Sequence, residues 1–384
     1  MRTGSKTAAI VLAAGTSTRM GKVKQLLPID GRPVLEHVLD KVRGADVSEI
    51  VLVLGHSAEA IQREVELRDV KVVMNDNYPL GMGTSLQAGL GVVDPRIEAA
   101  IIVLADQPFV CSPTLDQLIR EHSRTRAQIV IPTYRGFRGN PVLLDRSVFP
   151  EVMNLRGDIG CRAIFGDHLE GIVKVPVQDV GILLDLDEPV DYDKLRTTTN
   201  RDQRVKPLPA SRDLEGEFAT TAPGPARPEL VVVGKDRVVA TLAKLARLLG
   251  FHLTLVDPLL SIGEIPEADR ILHVLDFSLL PADSDRHVVV ASRGACDEEA
   301  IEQALEVNSA YVALVANRKR GEEVLRSLKM RGIRPERLAR VRVPAGLEIG
   351  ADTAEEIALS IMAEIVAERR KRLAAIGNRV AKPS

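Results

Sequence analysis

The sequence contains few cysteines and no long apolar run, and both absences narrow the possible functions. Its three cysteines, Cys111, Cys161 and Cys296, are far apart, and no CxxC pair occurs. An odd number of widely spaced cysteines favours neither a disulfide framework nor a thiolate zinc site, and it fits a reducing compartment. No apolar run approaches the ~18 residues that a membrane-spanning helix needs, so we expect no transmembrane segment.

The sequence also has no large excess of positive or of negative charge. The chain has 51 Lys and Arg residues against 53 Asp and Glu residues, a formal net charge of −2. Proteins that hold nucleic acid through phosphate contacts normally carry a basic excess, and so do polybasic membrane partners. The first six residues are polar and lead directly into a strand-like pattern, which leaves no room for a signal peptide. We therefore expect a cytoplasmic protein with no nucleic-acid partner and no membrane partner.

The length and the pattern of the chain predict two domains. A chain of 384 residues is too long for one ordinary core. Short apolar runs alternate with helical patterns over residues 1–196 and again over 229–384, which predicts mostly parallel sheets covered on both faces. Residues 197–228 are rich in Pro, Gly, Thr and charge and have no period, as in an exposed linker. The expected fold class is α/β, with two Rossmann-like three-layer domains joined by a flexible linker.

A loop of small residues follows the first predicted strand, and it carries the clearest chemical signal. It reads LAAGTSTRMG, and Lys24 lies three residues beyond it. Small residues let backbone N–H groups approach an anion, and Arg19 and Lys24 add two cations that suit a triphosphate and a leaving pyrophosphate. The spacing is neither GxxxxGK[ST] nor GxGxxG. An ordinary turn is the alternative interpretation. The candidate nucleotide-binding residues of the loop are Leu12, Ala13, Ala14 and Gly15.

Two further motifs have a functional and a plain structural interpretation. In Gly81-Met82-Gly83-Thr84-Ser85 the glycines would let backbone groups reach the edge of a base, and we expect Ser85 to cap the following helix. A simple capped turn explains the same residues. Asp106 ends a buried apolar strand, where a carboxylate can ligate Mg²⁺ that bridges nucleotide phosphates, or can cap a turn.

The pattern LAAGxSxRMGxxKxLLP resembles the signature of MobA-like nucleotidyltransferases, which act on molybdopterin, and of their sugar-nucleotide and cytidylyl relatives. The resemblance extends through most of residues 8–196. It implies that the first loop and Lys24 bind the NTP phosphates, and that Asp106 binds the metal. The catalytic residues would then be Arg19, Lys24 and Asp106. The second loop would bind the base through Gly81, Thr84 and Ser85.

Two more stretches resemble segments of this family that bind the second substrate. Residues 138–142, RGNPV, resemble its substrate loop, and residues 157–162, GDIGCR, resemble its GDxGAR segment with Cys161 at the alanine. The resemblance implies that Arg162 pairs with a phosphate of the pterin, although a surface salt bridge explains it equally well. The candidate substrate-binding residues are Asn140, Pro141, Asp158 and Arg162.

The segment LDLDEP, residues 184–189, resembles the D-x-D-x-P turn of the same family. By this resemblance Asp187 would be a second metal ligand beside Asp106. Alternation along an extended chain puts Asp185 and Asp187 on one side, so Asp185 would support it.

The reaction that this resemblance implies is attack by a molybdopterin phosphate on the α-phosphorus of an NTP, with release of pyrophosphate and with Mg²⁺ as the cofactor. The nucleophile is already anionic, so no general base is needed, and we assign no role to the seven histidines. Ala13-Ala14-Gly15 is more typical of CTP-using members, whereas Ala-Gly-Gly is typical of those that use GTP. We therefore expect CTP as the nucleotide, with GTP as the alternative.

Residues 229–370 resemble the C-terminal Rossmann-like domain of the XdhC/CoxI family, whose members mature molybdenum hydroxylases. The resemblance rests on ASRGACDEEA, YVALVANRKR and VPAGLEIGA, which begin at residues 291, 311 and 343. The family's glycine-rich turn is replaced by Gly234-Lys235-Asp236-Arg237, so we do not expect a dinucleotide here. This domain would handle the cofactor or dock to a molybdenum hydroxylase apoenzyme.

Two alternatives to a molybdenum cofactor cytidylyltransferase stay open at this point. The first loop and Asp106 also suit a nucleotidyltransferase for another phosphate, such as a sugar phosphate. A non-catalytic molybdenum cofactor carrier or insertion chaperone is the second alternative. Retention of Arg19, Lys24, Asp106 and Asp187 argues against a loss of catalysis.

Overall fold

The computed structural model describes residues 6–16, 22–157, 160–186, 227–261, 263–281, 285–307 and 309–380. The chain divides into two compact units, of which the first is built from residues 1–134 and 138–220 and the second mainly from residues 221–384. The predicted linker lies almost entirely outside the described residues, so the boundaries at 196 and 229 stay predictions. No described helix is both long and apolar enough to cross a membrane.

The first unit is built around a mostly parallel sheet. Its strands run in the order β10-β7-β9-β6-β1-β4-β5, and β8 pairs with β7. The strands of this sheet are β1 (Thr7–Ala13), β4 (Glu49–Leu54), β5 (Lys71–Met74), β6 (Ala99–Leu104), β7 (Ile129–Tyr134), β8 (Phe137–Arg138), β9 (Val142–Asp145) and β10 (Ile172–Pro176). A separate two-stranded antiparallel sheet is formed by β2 (Pro28–Ile29) and β3 (Arg32–Pro33). The helices are α1 (Val34–Gly44), α2 (Ala58–Glu64), α3 (Met82–Leu90), α4 (Ser112–Thr125) and α5 (Phe149–Val152). The central strand β1 is parallel to β4 and β6, whereas β9 is antiparallel to β6 and β7.

Both faces of this sheet are covered, which explains why its strands are nearly continuous apolar runs. Successive residues of a strand point to opposite faces, and β1 shows this directly. Ala9 and Val11 belong to a core cluster with Leu39 of α1. Ile10 belongs to the cluster on the other face, together with Leu86 of α3. The unit is therefore a helix–sheet–helix sandwich, as the sequence predicts.

The second unit contains a six-stranded sheet in the order β13-β12-β11-β14-β15-β16, and all its recorded pairs are parallel. The strands are β11 (Glu229–Val233), β12 (His252–Val256), β13 (Arg270–Leu272), β14 (Arg286–Val290), β15 (Tyr311–Leu314) and β16 (Val341–Arg342). The helices are α6 (Arg237–Leu248), α7 (Asp297–Glu306), α8 (Arg318–Met330), α9 (Pro335–Leu338) and α10 (Ala354–Val380). The strand order reverses between β11 and β14, as in a Rossmann fold. The predicted α/β class is thus confirmed in both units.

Gly139 lies where two segments of the first unit approach too closely for a side chain. A Cβ atom at this position would lie 2.4 Å from the carbonyl oxygen of Ile182. The neighbouring N–H of Asn140 donates a hydrogen bond to that same oxygen at 3.0 Å. A larger residue at position 139 must therefore push the two segments apart.

We predict that Gly139→Ala lowers the free energy of unfolding of the first unit by about 1–3 kcal/mol, because overpacking forces the backbone to shift. Calorimetry of the whole chain should show that the thermal transition of the first unit occurs at a lower temperature than in the wild type. Gly166→Ala is the matched control, since nothing lies within 4 Å of a Cβ at that position. Equal transition temperatures for the two variants would contradict this packing.

His287 is a buried histidine at the centre of the second unit. Its Nδ1 lies 3.1 Å from the carbonyl oxygen of Asp285, and its Nε2 has no hydrogen-bond partner among the described residues. Burial lowers the pKa of His287, the nearby Arg372 lowers it further, and the charge of Asp285 opposes the shift. The folded chain therefore holds this proton less tightly than the unfolded chain does.

We predict that the second unit loses stability as the pH falls below ~6.5, the ordinary pKa of histidine, because protonation then favours the unfolded chain. The contribution of one group is at most about 1.4 kcal/mol for each pH unit. The thermal transition of His287→Leu should lose this part of its pH dependence, whereas His252→Leu, at the half-buried start of β12, should keep it. An unchanged slope in His287→Leu would refute the assignment.

Candidate functional site

The loop after β1 is held at the carboxyl edge of the sheet by two neighbouring segments. The carbonyl oxygen of Ala14 accepts a hydrogen bond from the N–H of His56 at 3.2 Å, just beyond the end of β4. Gln25 is buried, and its side-chain amide donates to the carbonyl oxygen of Ala13 at 3.3 Å. A Cβ at Gly15 would have no atom within 4 Å, so this part of the loop faces open space. Arg19 lies outside the described residues, and its role stays a prediction.

The structure brings together two of the predicted catalytic residues. Lys24 begins a 3₁₀ helix (Lys24–Leu26), and its Nζ forms an ion pair with Oδ2 of Asp106, which follows β6. The two side chains are only 17% and 15% exposed. The other carboxylate oxygen of Asp106, Oδ1, is buried and has no hydrogen-bond partner within the described part of the chain. A buried carboxylate oxygen in this state is costly unless a ligand satisfies it.

The segment that carries the D-x-D-x-P resemblance reaches the same place. The N–H of Leu186 donates to the carbonyl oxygen of Asp106 at 3.1 Å. Leu186 is buried in a small apolar cluster with Leu27, Ile29 and Val34. Asp185 is exposed at this point, and Asp187, the predicted second metal ligand, lies outside the described residues.

The chemistry of Asp106 fits a divalent metal ion. Carboxylate oxygens are ligands that Mg²⁺ prefers, and this ion usually takes one or two of them and completes its shell with substrate phosphates and water. The described residues contain no group of three or more His, Cys, Asp or Glu side chains that could hold a metal ion.

The second loop, residues 81–85, is the predicted base-binding loop and is called the base loop from here on. The helix that follows it has a different N-cap residue from the one expected. Helix α3 begins at Met82, and Gly81, with φ of +107°, occupies its N-cap position. Ser85 lies inside the helix, is buried and accepts a hydrogen bond from the side chain of Asn75 at 3.0 Å. The prediction that Ser85 caps the helix is therefore wrong, because the helix starts three residues earlier. Thr84 donates its hydroxyl to the carbonyl oxygen of Gly81 at 2.9 Å.

Asn75, a residue that was not predicted from the sequence, organises this loop. It directly follows β5 and is only 4% exposed. Its N–H donates to the carbonyl oxygen of Leu54 at 2.7 Å, and its side-chain amide donates to the hydroxyls of Thr84 and Ser85 at 2.9 and 3.0 Å. Its position, a polar residue at the end of a predicted strand, was the available signal.

The first loop and the base loop are neighbours. A Cβ at Gly55 would lie 2.9 Å from the Cβ atoms of both Ala14 and Tyr78. Tyr78 begins the short 3₁₀ helix that leads into Gly81. The phosphate-binding and base-binding candidates therefore share one edge of the sheet.

The GDxGxR segment lies against the start of α3. The N–H of Gly83 donates to the carbonyl oxygen of Gly157 at 3.4 Å, and a Cβ at Gly160 would lie 3.1 Å from the sulfur of Met82. Asp158 lies outside the described residues. Arg162 is exposed, whereas Cys161 is buried and burial raises the pKa of its thiol to about 12, so this cysteine is a packing residue.

Asn140 and Pro141 connect to the site through the segment that contains Ile182. The N–H of Asn140 donates to the carbonyl oxygen of Ile182, and the Asn140–Pro141 peptide bond is cis. Ile182 belongs to a 3₁₀ helix (Val180–Leu183) that leads directly to Leu186 and so to Asp106. The substrate loop is thus tied to the segment that contacts the candidate metal ligand.

The second unit has its own strand-order reversal, the place where a Rossmann fold binds a dinucleotide. Asp236 is the N-cap of α6, where its Oδ1 accepts from the N–H of Val239 at 3.0 Å. Its Oδ2 lies 3.2 Å from Nε of Arg293, which follows β14. This carboxylate occupies the helix N-terminus at which a Rossmann fold binds a pyrophosphate. The residues at this position do not fit a dinucleotide.

Comparison with known proteins matches both halves of the chain to families. Residues 9–172 match the MobA-like NTP transferase domain, and residues 230–365 match the XdhC Rossmann domain. A nicotine blue oxidoreductase of Paenarthrobacter nicotinovorans is 30% identical over 162 residues, which are 40% of this chain and 78% of that protein. The chain belongs to the MobA-like NTP transferase family and continues into an XdhC Rossmann domain.

Other relatives also match only part of this chain. YqeB of Escherichia coli K12 is 33% identical over 165 residues, 41% of this chain and 30% of that protein. The chain therefore spans less than a third of the length of this relative. The crystal structure of Rv0371c from Mycobacterium tuberculosis H37Rv is 32% identical, covers 51% of this chain and all of that one, and has a TM-score of 0.46.

We predict that Asn75→Ala loosens the base loop of the MobA-like domain, because the hydroxyls of Thr84 and Ser85 lose a buried donor. The expected loss is about 1–3 kcal/mol of unfolding free energy, with faster hydrogen exchange at residues 76–86. Asn154→Ala is the matched control, since its side chain donates only to the Pro150 carbonyl in an exposed turn. Unchanged exchange in Asn75→Ala would show that the loop holds its shape without this residue.

Proposed function

We propose that the MobA-like domain transfers CMP from CTP to molybdopterin or the molybdenum cofactor and releases pyrophosphate. The observation that carries this proposal is the pair formed by Lys24 and Asp106 beside the small-residue loop at the carboxyl edge of β1 and β6. In the reaction a terminal phosphate oxygen of the pterin bonds to the α-phosphorus, and the bond from that phosphorus to the β-phosphate oxygen breaks. The nucleophile is anionic, so the domain needs no general base.

The side chains of the domain have separate roles in this proposal. Backbone N–H groups of the first loop hold the phosphates, while Lys24 and Arg19 offset the charge of the leaving pyrophosphate. Asp106 and Asp187 would hold Mg²⁺, which when bound would neutralise phosphate charge. Gly81, Thr84 and Ser85 form the wall at which the base binds.

The second substrate is proposed from three features of the same chain. Asn140 is tied to the segment that contacts Asp106 and precedes Pro141, and Gly157 and Gly160 of the segment that carries Asp158 and Arg162 touch the start of α3. The third feature is the XdhC domain, which we propose to handle the cofactor or to dock to a molybdenum hydroxylase apoenzyme. CTP is preferred to GTP because the loop reads Ala13-Ala14-Gly15.

Pyrophosphate release by the whole purified chain tests the proposal. The assay contains Mg²⁺ and molybdenum cofactor and compares CTP, GTP and ATP. Cofactor-dependent release with CTP supports the full proposal. Release with GTP would keep the mechanism and change the base, and release only with another phosphate acceptor would change the second substrate. If folded protein binds cofactor but releases no pyrophosphate, the carrier or chaperone alternative replaces this one.

We predict that Asp106→Asn lowers the rate of nucleotidyl transfer at least about a hundredfold, because the amide cannot hold the charge-stabilising cation. The same pyrophosphate assay measures it, with the thermal transition as the check on folding. Asp94→Asn, which changes an aspartate paired with Arg96 at the surface, should transfer normally. Near-normal turnover by Asp106→Asn would remove Asp106 from the mechanism.

A further inference from the structure

Lys24 and Asp106 form an ion pair that joins two distant parts of the chain. The two residues are 82 positions apart in the chain, and both side chains are largely buried. The neighbouring Gln25 is anchored to the loop after β1, so the start of this 3₁₀ helix is held in place beside Asp106. The contact therefore belongs to the packed structure and is not a solvent-exposed surface ion pair.

The ion pair leaves the Asp106 carboxylate half satisfied. Oδ2 is paired with the Lys24 ammonium, whereas Oδ1 is buried without a hydrogen-bond partner in the residues that the structure describes. A carboxylate with one cation already bound is a poorer ligand for a second cation. A divalent ion that approached Oδ1 would be repelled by the adjacent ammonium, and this repulsion is screened less at a largely buried site than in water.

A bound triphosphate would offer the Lys24 ammonium another partner in place of Asp106. Lys24 lies three residues beyond the small-residue loop, whose Gly15 faces open space, and an ammonium with three donors binds phosphate oxygens readily. Movement of the ammonium from Asp106 to the phosphates would release Oδ2 and remove the repulsion at the same time.

We infer that Lys24 is a placeholder cation, which occupies Asp106 until a nucleoside triphosphate draws it away and a divalent metal takes its place. The inference rests on the proposed function for the identity of the nucleotide, but not for the competition itself. Metal and nucleotide then bind with positive coupling, and by linkage each raises the affinity of the other by the same factor. Metal without nucleotide binds weakly.

Binding of Mn²⁺ to the whole chain without nucleotide tests the competition directly. The signal of free Mn²⁺ in electron paramagnetic resonance gives the dissociation constant, and no turnover is needed. Lys24→Gln should bind Mn²⁺ at least about tenfold more tightly than the wild type, a change of about 1.4 kcal/mol. Lys24→Arg keeps the cation and should bind as weakly as the wild type.

Two matched variants separate this effect from general electrostatics. Lys22→Gln removes the same charge two residues away and should leave Mn²⁺ affinity unchanged, since Lys22 is exposed. Asp106→Asn combined with Lys24→Gln should abolish the gain. Addition of CTP should tighten Mn²⁺ binding several-fold more in the wild type than in Lys24→Gln, because only the wild type has an ammonium to displace.

Equal Mn²⁺ affinity of wild type and Lys24→Gln without nucleotide would overturn the inference, and so would an equal gain in Lys22→Gln. These results are independent of the assay for pyrophosphate release. A wild type that transfers nucleotide but shows no tightening in Lys24→Gln refutes the placeholder role alone. A chain that releases no pyrophosphate but shows the tightening keeps the ion competition and loses the proposed reaction.

Discussion

Parallel pairing on both sides of β1 is the constraint on which the site depends. The register aligns Ala13 with Leu54 of β4 and Leu12 with Leu104 of β6, so three strands end at one edge. After each of these strands the backbone leaves the sheet within a few residues. Ala14, Gly55 and Asp106 consequently emerge side by side, although they come from distant parts of the sequence. Because the strands are buried on both faces, this register cannot slip by one residue without exposing apolar side chains.

The same geometric rule produces a different result in the XdhC domain. Parallel pairing of β11 with β14 again places two loops side by side at a strand-order reversal. Here the loop residues are Asp236, which caps α6, and Arg293, which pairs with it. The Asp236 carboxylate accepts from one N–H group at the helix N-terminus and offsets the positive end of the helix dipole, both of which would otherwise attract a phosphate. Two domains of one architecture thus differ in chemistry because of a few residues at the ends of strands.

The electrostatics of the MobA-like site follow from partial burial. An exposed Lys–Asp pair has little influence on what binds nearby, because water and salt screen it. Lys24 and Asp106 are mostly shielded from water, so their ion pair is screened less than an exposed one, and Oδ1 of Asp106 has no hydrogen-bond partner among the described residues. This arrangement favours the arrival of ligands that satisfy both groups together over the binding of a metal alone.

The sequence by itself determined the α/β class, the two-domain pattern and the residue types at the ends of β1 and β6. These features are local: strand-length apolar runs, a loop of small residues, and a lysine and an aspartate at recognisable positions. It did not reveal Asn75, whose role depends on side-chain hydrogen bonds to a loop nine and ten residues away. The start of α3 was misplaced because Gly81 takes a positive φ and caps the helix, which composition alone does not specify.

Only the tertiary structure decided that Lys24 contacts Asp106 and that the Leu186 segment closes beside them. Both contacts span more than 75 residues of sequence, and they exist because the sheet brings the ends of its strands to one edge. The sequence specifies which groups are available, through local propensity and pattern. Which of these groups meet, and which carboxylate oxygen is left for a ligand, follows from packing between distant segments.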